Sequence, residues 1–348
     1  MDDKKSLPEI EKLKSLLQTA DLPANLHDKA LEQIERINLA VKYGANLSQI
    51  DLTAKYVDWI VNLPWNKKTD DLLDINHAKT ILDKNHFDLD KVKNRILEYL
   101  SVLLIQKKEA PTAASHAPIL FFVGLAGTGK TTLAKSIAET MGRKFVRIPF
   151  GGLSSALDLR GQSKTTSHSE PGMIIRALRR AGSKNPVVLL DELDRVTPSS
   201  REEIMGVLIE ILDPEQNIAF NDYFIDYPFD LSQVLFIATA NNTNNISSAV
   251  LDRLETISMP SYNDEEKIEI GKRFILPKYL KETGLGENNL TIEDVVWPKM
   301  VRPLGFEPGI RSLERMIEEI VRKTAYKIVS GQEQSFVVNE TNLKEFIS

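Results

Sequence analysis

The sequence predicts an α/β protein in which a parallel sheet is sandwiched by helices and flanked by an N-terminal helical bundle and a small C-terminal helical domain. Two observations predict this fold class. Between residues 119 and 260, short apolar runs alternate with helical segments, which is the order of a parallel sheet covered by helices. On both sides of that region, apolar side chains recur at helical spacing instead. We therefore expect a bundle over residues 1–63, an α/β domain over 64–260 and a helical domain over 261–348.

The composition of the chain limits its possible functions. A chain of 348 residues is long for a single apolar core. Its net charge of −5 argues against a dominant nucleic-acid surface. The lack of cysteine excludes disulfides, a thiolate nucleophile and a zinc–thiolate site, and it suits a reducing compartment. No apolar run approaches the length of a membrane span, so we expect a cytoplasmic protein that does not enter a membrane.

The region before the sheet is predicted to be helical. Apolar spacing favours three helices before residue 63, with breaks at residues 21–23 and 44–46. The segment Leu63-Pro64-Trp65 ends this bundle. The elements expected next are a polar linker, two helices and a loop, over residues 66–71, 75–82, 89–104 and 110–115.

The α/β region is predicted to contain five strands and to end in helices. The apolar runs that predict the strands cover residues 119–123, 145–148, 187–190, 234–238 and 256–259. Beyond them, helical spacing is clearest over residues 265–276 and 310–329. The helical domain therefore begins near residue 261.

A glycine-rich segment follows the first strand and opens a helix. It fits the phosphate-loop pattern of spaced glycines, a lysine and a threonine. Glycines let backbone N–H groups surround phosphate oxygens, and the helix N-terminus adds partial positive charge. Lys130 would reach the β- and γ-phosphates, and Thr131 would ligate Mg²⁺. The alternative is a tight connection without a ligand. The predicted nucleotide contacts are Gly124, Leu125, Ala126, Gly127, Thr128, Gly129, Lys130, Thr131 and Thr132.

Two carboxylates stand at the end of the third predicted strand. Asp191 would bind Mg²⁺, and Glu192 would orient and activate the attacking water. Carboxylates also end strands without any catalytic role. Their position downstream of a phosphate loop favours the catalytic interpretation.

Asparagines follow the fourth predicted strand. An amide at this place would hydrogen-bond both the γ-phosphate and the lytic water. Asparagines are also common turn formers, so either Asn241 or Asn242 alone is ambiguous. The strand context favours Asn241.

Two arginines complete the predicted catalytic set. Arg253 would project onto the nucleotide of a neighbouring subunit and stabilise transition-state charge. Arg311 opens a helix of the final domain and would sense the γ-phosphate from there. By position alone, both are equally interpretable as surface ion pairs. Their assignment rests on the resemblance that follows.

Six segments of the chain carry a family resemblance. They cover residues 124–131, 142–148, 184–192, 212–217, 237–241 and 309–315. Together with Leu63-Pro64-Trp65, they closely resemble the ATPase module of Lon proteases, within the broader AAA+ class. The resemblance covers nearly the whole chain.

The resemblance implies a homo-oligomeric, hexameric ring in which ATP hydrolysis drives protein unfolding and feeds a proteolytic chamber. It implies that Asn241 is the first sensor, Arg253 the arginine finger and Arg311 the second sensor. It also places His86 and Phe87, with Val92, at the adenine side of the nucleotide. A plain packing role is the alternative for these last residues.

The sequence departs from the family pattern in three places. Lon chains continue into a domain with a serine–lysine dyad, whereas this sequence ends near where that domain would begin. It is therefore either a piece of a longer protease or a standalone ATPase. The aromatic–aliphatic pair that grips substrate in the pore aligns with Thr166 in a polar segment, residues 166–170. The aromatic residues of 220–224 are a possible replacement, with core or subunit contact as the alternative. After Arg201, Glu202-Glu203-Ile204 stand where Lon chains usually carry Gly-Asp-Pro.

Three hypotheses of function follow. The first is an ATP-hydrolysing motor acting on protein substrates. The second is a nucleotide-gated scaffold or regulatory ring subunit without threading activity, which the polar pore segment favours. The third is a nucleic-acid-associated ATPase, suggested by Arg176, Arg179 and Arg180. A solvated helix face is the better interpretation of that cluster.

Overall fold

A computed structural model of the chain describes residues 8–43, 48–72, 74–109, 118–166, 168–302 and 309–347. The break expected at 44–46 and the loop expected at 110–115 lie outside these residues. The bundle contains three helices, as predicted. They are α1 (Pro8–Thr19), α2 (Ala24–Lys42) and α3 (Ser48–Val61).

The remaining elements build a sheet with helices around it. The helices are α4 (Ile75–Asn85), α5 (Asp90–Glu109), α6 (Lys130–Thr140), α7 (Leu157–Arg160), α8 (Met173–Ala181), α9 (Arg201–Leu212), α10 (Ser248–Leu251), α11 (Asp264–Ile270), α12 (Leu276–Thr283), α13 (Trp297–Val301), α14 (Arg311–Val329) and α15 (Leu343–Phe346). The strands are β1 (Ile119–Val123), β2 (Phe145–Pro149), β3 (Val187–Asp191), β4 (Phe220–Asn221), β5 (Pro228–Phe229), β6 (Leu235–Ala240), β7 (Leu254–Ser258), β8 (Leu290–Ile292) and β9 (Phe336–Val338).

The five predicted strands form one parallel sheet in the order β2-β3-β6-β1-β7. The predicted α/β class is therefore confirmed. The two strands β3 and β6 are buried along their whole length, as expected for the centre of a sheet covered on both faces. In this order the chain runs from β1 to β2 at one edge of the sheet, whereas it runs from β6 past β1 to β7 at the other edge. Ligands bind in the crevice formed at such a point.

The sheet separates two apolar cores. Neighbouring residues of a strand point to opposite faces, so Phe121 packs into one core while Leu120 and Phe122 pack into the other. The first core is continuous with the N-terminal bundle, and the second with α4, α5 and the C-terminal helices. The domain boundaries at residues 63 and 260 stay predictions.

The bundle is tied to the sheet domain by polar and aromatic contacts as well. The hydroxyl of Tyr56 donates to the Ile225 carbonyl at 3.3 Å. Arg179 donates to Asp58 at 2.8 Å and lies 4.2 Å from the centre of the Trp59 ring. One arginine of the predicted basic cluster therefore joins α8 to α3, which weakens the case for a nucleic-acid surface.

The C-terminal part contains two features that the sequence did not predict. Strands β8 and β9 pair in parallel within what was expected to be an all-helical domain. Each strand has only three residues, too few to show a period in the sequence. Between α11 and α12, the helix widens into a π-helical turn at Gly271–Ile275.

In the sheet domain, the antiparallel pair of β4 and β5 is a further short element that was not predicted.

Candidate nucleotide-binding site

A cavity of about 680 Å³ opens at the carboxyl ends of the central strands. Its lining includes the phosphate loop, the end of α4, and residues of α12 and α14. Its lining includes five residues predicted to do chemistry or bind phosphate: Lys130, Asp191, Glu192, Asn241 and Arg311. Thr131 and Thr132 also line it. Residues distant in sequence thus line one cavity, and their roles in binding or catalysis stay predictions.

The phosphate loop adopts a backbone that requires glycine at two positions. Gly127 has a φ of +81° and Gly129 a φ of +90°, both in the left-handed region. The loop is closed by Thr128, whose hydroxyl donates to the Leu125 carbonyl at 2.9 Å. Helix α6 then begins at Lys130, so its first N–H groups are directed toward the cavity.

Lys130 lies folded over the loop. Its ammonium donates to the Gly124 carbonyl at 2.5 Å, the Leu125 carbonyl at 3.0 Å and the Asn241 amide oxygen at 3.2 Å. Burial lowers the pKa of Lys130, while the nearby Asp191 carboxylate acts in the opposite direction. The ammonium is thus held by three oxygen acceptors at the loop and at the end of β6.

Asp191 is the last residue of β3 and accepts two side-chain hydrogen bonds. The hydroxyl of Thr239 donates to one carboxylate oxygen, and Nε of Arg147 donates to the other at 2.5 Å. Glu192 follows with a φ of +62°, and its carboxylate pairs with Arg195 at 3.3 Å. The tight turn separates the two acids, so that neighbouring carboxylates have different partners.

Asn241 is fixed by an acid that sequence analysis missed. Its backbone N–H donates to Asp194 at 3.1 Å, and the side chain of Asn242 reaches the other oxygen of that carboxylate at 3.4 Å. Only the first of the two asparagines lines the cavity within the described residues. The amide oxygen of Asn241 accepts a hydrogen bond from the ammonium of Lys130.

The C-terminal part meets the phosphate loop through Gly309. A Cβ at this residue would lie 2.2 Å from the Ala126 carbonyl oxygen, so the two backbones are in direct contact. The N–H of Ile310 donates to the Gly127 carbonyl at 3.3 Å. Arg311, the first residue of α14, is thereby brought to the cavity.

Two of the three residues expected at the adenine side also line the cavity. His86 and Phe87 both line the cavity. Val92, on α5, is instead buried in the second apolar core and is not among the lining residues. The ring of His86 shares a 2.8 Å hydrogen bond with the Ser136 hydroxyl. Burial, and then the charge of Lys93, lower the pKa of His86 to about 4, so its imidazole is neutral near pH 7.

Arg253 does not line the cavity of its own chain within the described residues. It donates to Asp213 at 2.9 Å and to the Ala249 carbonyl at 2.8 Å, and its side chain is about one-third exposed. A role in the site of a neighbouring subunit therefore stays a prediction.

Polar residues also precede Thr166, so in the structure the polar segment covers residues 163–170. It is held at its base and polar at its tip. Lys55 of the bundle donates to the Ser169 carbonyl at 2.8 Å and to the Glu170 carboxylate at 2.7 Å. Thr166 and His168 are exposed. Residue 167, which follows the position expected for the aromatic residue of the pore, lies outside the described residues.

The aromatic residues of 220–224 do not form an exposed cluster. Phe220 and Phe224 are buried in the first core, and only Tyr223 is partly exposed. Asp222 between them is fully buried and accepts N–H bonds from Gly172 at 2.7 Å, Phe224 at 2.9 Å and Ile225 at 3.0 Å. This segment therefore supports the base of the polar segment, and Tyr223 alone is left as a candidate for substrate contact.

Sequence analysis missed four residues that shape the site. They are Arg147, Asp194, Thr239 and Tyr262, whose hydroxyl donates to the Thr128 carbonyl at 3.2 Å. A polar side chain inside the apolar run of β6 was the available signal for Thr239. The other three depend on which strands are neighbours.

The described residues contain neither a cluster of metal-ligating side chains nor a membrane-spanning helix. No group of three or more His, Cys, Asp or Glu side chains there is arranged to hold a metal. Among the helices of residues 8–347 that the structure describes, none has the length and apolar character needed to cross a bilayer.

Comparison with known protein families gives two matches. The ATPase family associated with various cellular activities (AAA) matches residues 120–261. The Lon protease AAA+ ATPase lid domain matches residues 281–337. The two matched segments contain the cavity residues from β1 to the polar end of β6 and the helix that begins with Arg311.

Curated relatives are similar over almost the entire chain. A Lon protease from Lawsonia intracellularis is 43% identical over 339 residues, which is 97% of this chain and 40% of the relative. A Lon protease from Heliobacterium modesticaldum is 42% identical, with 97% and 40% covered. Lon protease 2 from Thermus thermophilus is 40% identical, with 97% and 42% covered. The chain thus spans about two-fifths of the length of the relatives it matches.

Proposed function

This chain belongs to the Lon protease family of AAA+ ATPases, and on that premise we propose that it binds ATP with Mg²⁺ and hydrolyses it to drive the unfolding of protein substrates. The observation that carries the proposal is the convergence of Lys130, Asp191, Glu192, Asn241 and Arg311 on one cavity. As the name of the relatives implies, the unfolded chain would pass to a peptidase. That peptidase would be supplied outside this sequence.

The residues of the cavity fit a Mg²⁺ ion. Mg²⁺ prefers oxygen ligands and is commonly bound by one or two protein oxygens together with substrate phosphates. Thr131 and Asp191 line the same cavity and offer a hydroxyl and a carboxylate. These two residues would hold the ion, which would neutralise charge on the phosphates.

Each protein group has a distinct task in the proposed hydrolysis. Lys130 and the N–H groups at the start of α6 bind the phosphates. Glu192 accepts a proton from the attacking water, which requires that its carboxylate leave the contact with Arg195. Asn241 orients the water and the γ-phosphate, and its tie to Asp194 keeps it in place.

The proposed site is completed from two directions. Arg311 reaches the γ-phosphate from α14, so the position of the C-terminal part depends on whether that phosphate is present. Arg253 would enter the site of the next subunit in a hexameric ring and stabilise charge during phosphate transfer. Asp213 holds Arg253 near the surface of its own subunit. The cysteine-free composition fits the cytoplasm as the place of this activity.

The test is ATP turnover per subunit over a wide range of protein concentration, for wild type and Arg253→Ala. We expect turnover that rises with concentration and falls roughly 10³-fold in the variant. Arg180→Ala is the matched control, because it removes an exposed arginine of α8 outside the cavity. ATP binding without turnover at any concentration would contradict the motor, and loss of ATP binding would contradict the nucleotide site itself.

A second candidate is a nucleotide-gated ring subunit that assembles but does not thread protein. The observation that favours it is the polar segment, whose exposed tip offers hydroxyl and imidazole groups rather than apolar area. This candidate predicts ATP binding and ring assembly without stimulation of turnover by unfolded protein. Stimulation by an unfolded polypeptide would rule it out.

A further inference from the structure

Arg147 on the edge strand β2 makes a contact to which the proposed hydrolysis assigns no role. Its Nε lies 2.5 Å from Oδ2 of Asp191, and the Thr239 hydroxyl donates to Oδ1. Both oxygens of the carboxylate proposed to hold Mg²⁺ are therefore bonded to protein donors. One of these donors carries a full positive charge.

The two partners of this ion pair differ in their freedom to move. The side chain of Asp191 is 6% exposed, whereas that of Arg147 is 49% exposed. Asp191 is fixed at the end of a buried strand, but Arg147 extends from the outer strand of the sheet into the cavity. A rotation of the arginine would leave the core packing intact.

A buried carboxylate needs compensation for its charge. Without a cation or sufficient donors, burying it is strongly unfavourable. Thr239 is neutral and supplies one hydrogen bond. Arg147 donates to the other carboxylate oxygen and supplies an opposite charge in direct contact with Asp191.

We propose that Arg147 is a positioning residue that neutralises Asp191 until nucleotide and Mg²⁺ arrive, and then leaves that carboxylate. The inference rests on the proposed nucleotide function and extends it to the order of events at Asp191. Before the metal binds, the arginine prevents repulsion between Asp191 and the incoming phosphates. Once Mg²⁺ is present, the metal supplies that charge, so the arginine contributes less to nucleotide affinity.

The test measures the dissociation constant of a non-hydrolysable ATP analogue in EDTA and in excess Mg²⁺. For Arg147→Met, we expect the metal-free affinity to fall about tenfold and the affinity with Mg²⁺ to fall less than about threefold. Arg147→Lys keeps the charge and should retain most of the metal-free affinity. The ratio of the two constants is the decisive quantity, because a general loss of structure would lower both affinities together.

Arg195→Met is the matched control. Arg195 is half exposed, as Arg147 is, but its partner is Glu192 rather than Asp191. This variant should keep the wild-type ratio of the two dissociation constants. Equal losses with and without Mg²⁺ in Arg147→Met would show an ordinary phosphate ligand and overturn the proposal, as would the absence of any change.

A measurement without nucleotide separates this inference from the proposed function. Arg147→Met should lower the melting temperature, and the same change in an Asp191→Asn background should lower it much less. Equal decreases in the two backgrounds would show that the ion pair does not stabilise the protein and would overturn the proposal. If wild type bound the analogue under neither condition, the nucleotide function would fail, and the melting data would still report on the pair.

Discussion

The nucleotide cavity and the polar segment are both formed by connections that leave the carboxyl ends of sheet strands, yet they are built in opposite ways. In the cavity, charged and polar side chains from several elements bond to one another, as Lys130 does to Asn241. In the polar segment, the charged ties lie at the base, where Lys55 and Asp222 bind backbone groups. The cavity is thus specified by its side chains, whereas the segment is specified by its anchoring.

This difference separates two parts of the proposed function. Chemistry on a phosphate requires particular side chains at particular distances, and the cavity has them. Grip on an unfolded polypeptide relies on exposed aromatic and aliphatic area, which Thr166 and His168 do not offer. The two parts can therefore be disrupted independently.

The largest expected effect comes from changing the cavity alone. Glu192→Gln should reduce ATP turnover by about 10²–10⁴-fold, because the amide cannot accept a proton from water. Affinity for ATP should stay close to that of wild type. Phosphate release and analogue binding measure the two quantities. Glu203→Gln, on the exposed face of α9, is the control, and a parallel loss of ATP binding would speak against a catalytic role.

A change in the polar segment should act in the opposite direction. Introducing Thr166→Tyr together with Ser167→Ile should raise the unfolding rate of a tagged model substrate by roughly tenfold, since a buried tyrosine contact is often worth that factor. Basal ATP turnover should not change. Ser163→Tyr is the control at the base. No gain in unfolding would mean that the polarity of the tip is not what limits grip.

The anchoring of the polar segment can be broken at Asp222. Its fully buried carboxylate accepts three backbone N–H groups, and burial raises its pKa to about 6. Asp222→Ala should lower the free energy of unfolding by about 3 kcal/mol, because it leaves those donors unpaired. Urea unfolding measures the loss, and limited proteolysis should cut within residues 163–170. Asp28→Ala, at an exposed position of α2, should do neither.

The smaller of the two effects on stability is a pH dependence that originates in the cavity. The pKa of His86 in the folded protein, about 4, lies below its ordinary value of 6.5. The native state then binds fewer protons than the unfolded state, so its contribution is complete above about pH 6.5 and is lost as the pH falls toward 4. The free energy of unfolding should therefore be about 2 kcal/mol lower at pH 5 than at pH 7.5.

Urea unfolding at both pH values checks this contribution. His86→Gln should reduce the difference in unfolding free energy between them. His77→Gln, at an exposed position of α4, the helix that His86 follows, should leave it unchanged. If the two variants showed the same pH dependence, the buried imidazole would not be its source.

The sequence was sufficient where the signal is local. The run from β1 through the phosphate loop into α6 is continuous in the chain, and Asp191 and Glu192 directly follow an apolar strand. The partners of these residues depend instead on the strand order. Arg147 meets Asp191 only because β2 lies beside β3, and Thr239 meets it because β6 lies on the other side. No spacing in the sequence indicates those neighbours.

The polar segment shows the same limit. The sequence shows that the segment is polar, but it does not show that Lys55 and Asp222 hold its backbone. Aromatic residues at 220 and 224 are indistinguishable from Tyr223 until burial is known. In the C-terminal part, three-residue strands were too short to be predicted beside longer helical patterns.

The contact between Gly309 and the phosphate loop limits how the lid can move. Because the two backbones already touch without an intervening side chain, the lid has no further inward travel. The contact therefore limits movement of the lid toward the loop. In the proposed nucleotide cycle, α14 would move by an outward swing or a rotation about this contact, and its 19 residues would set the length of the lever.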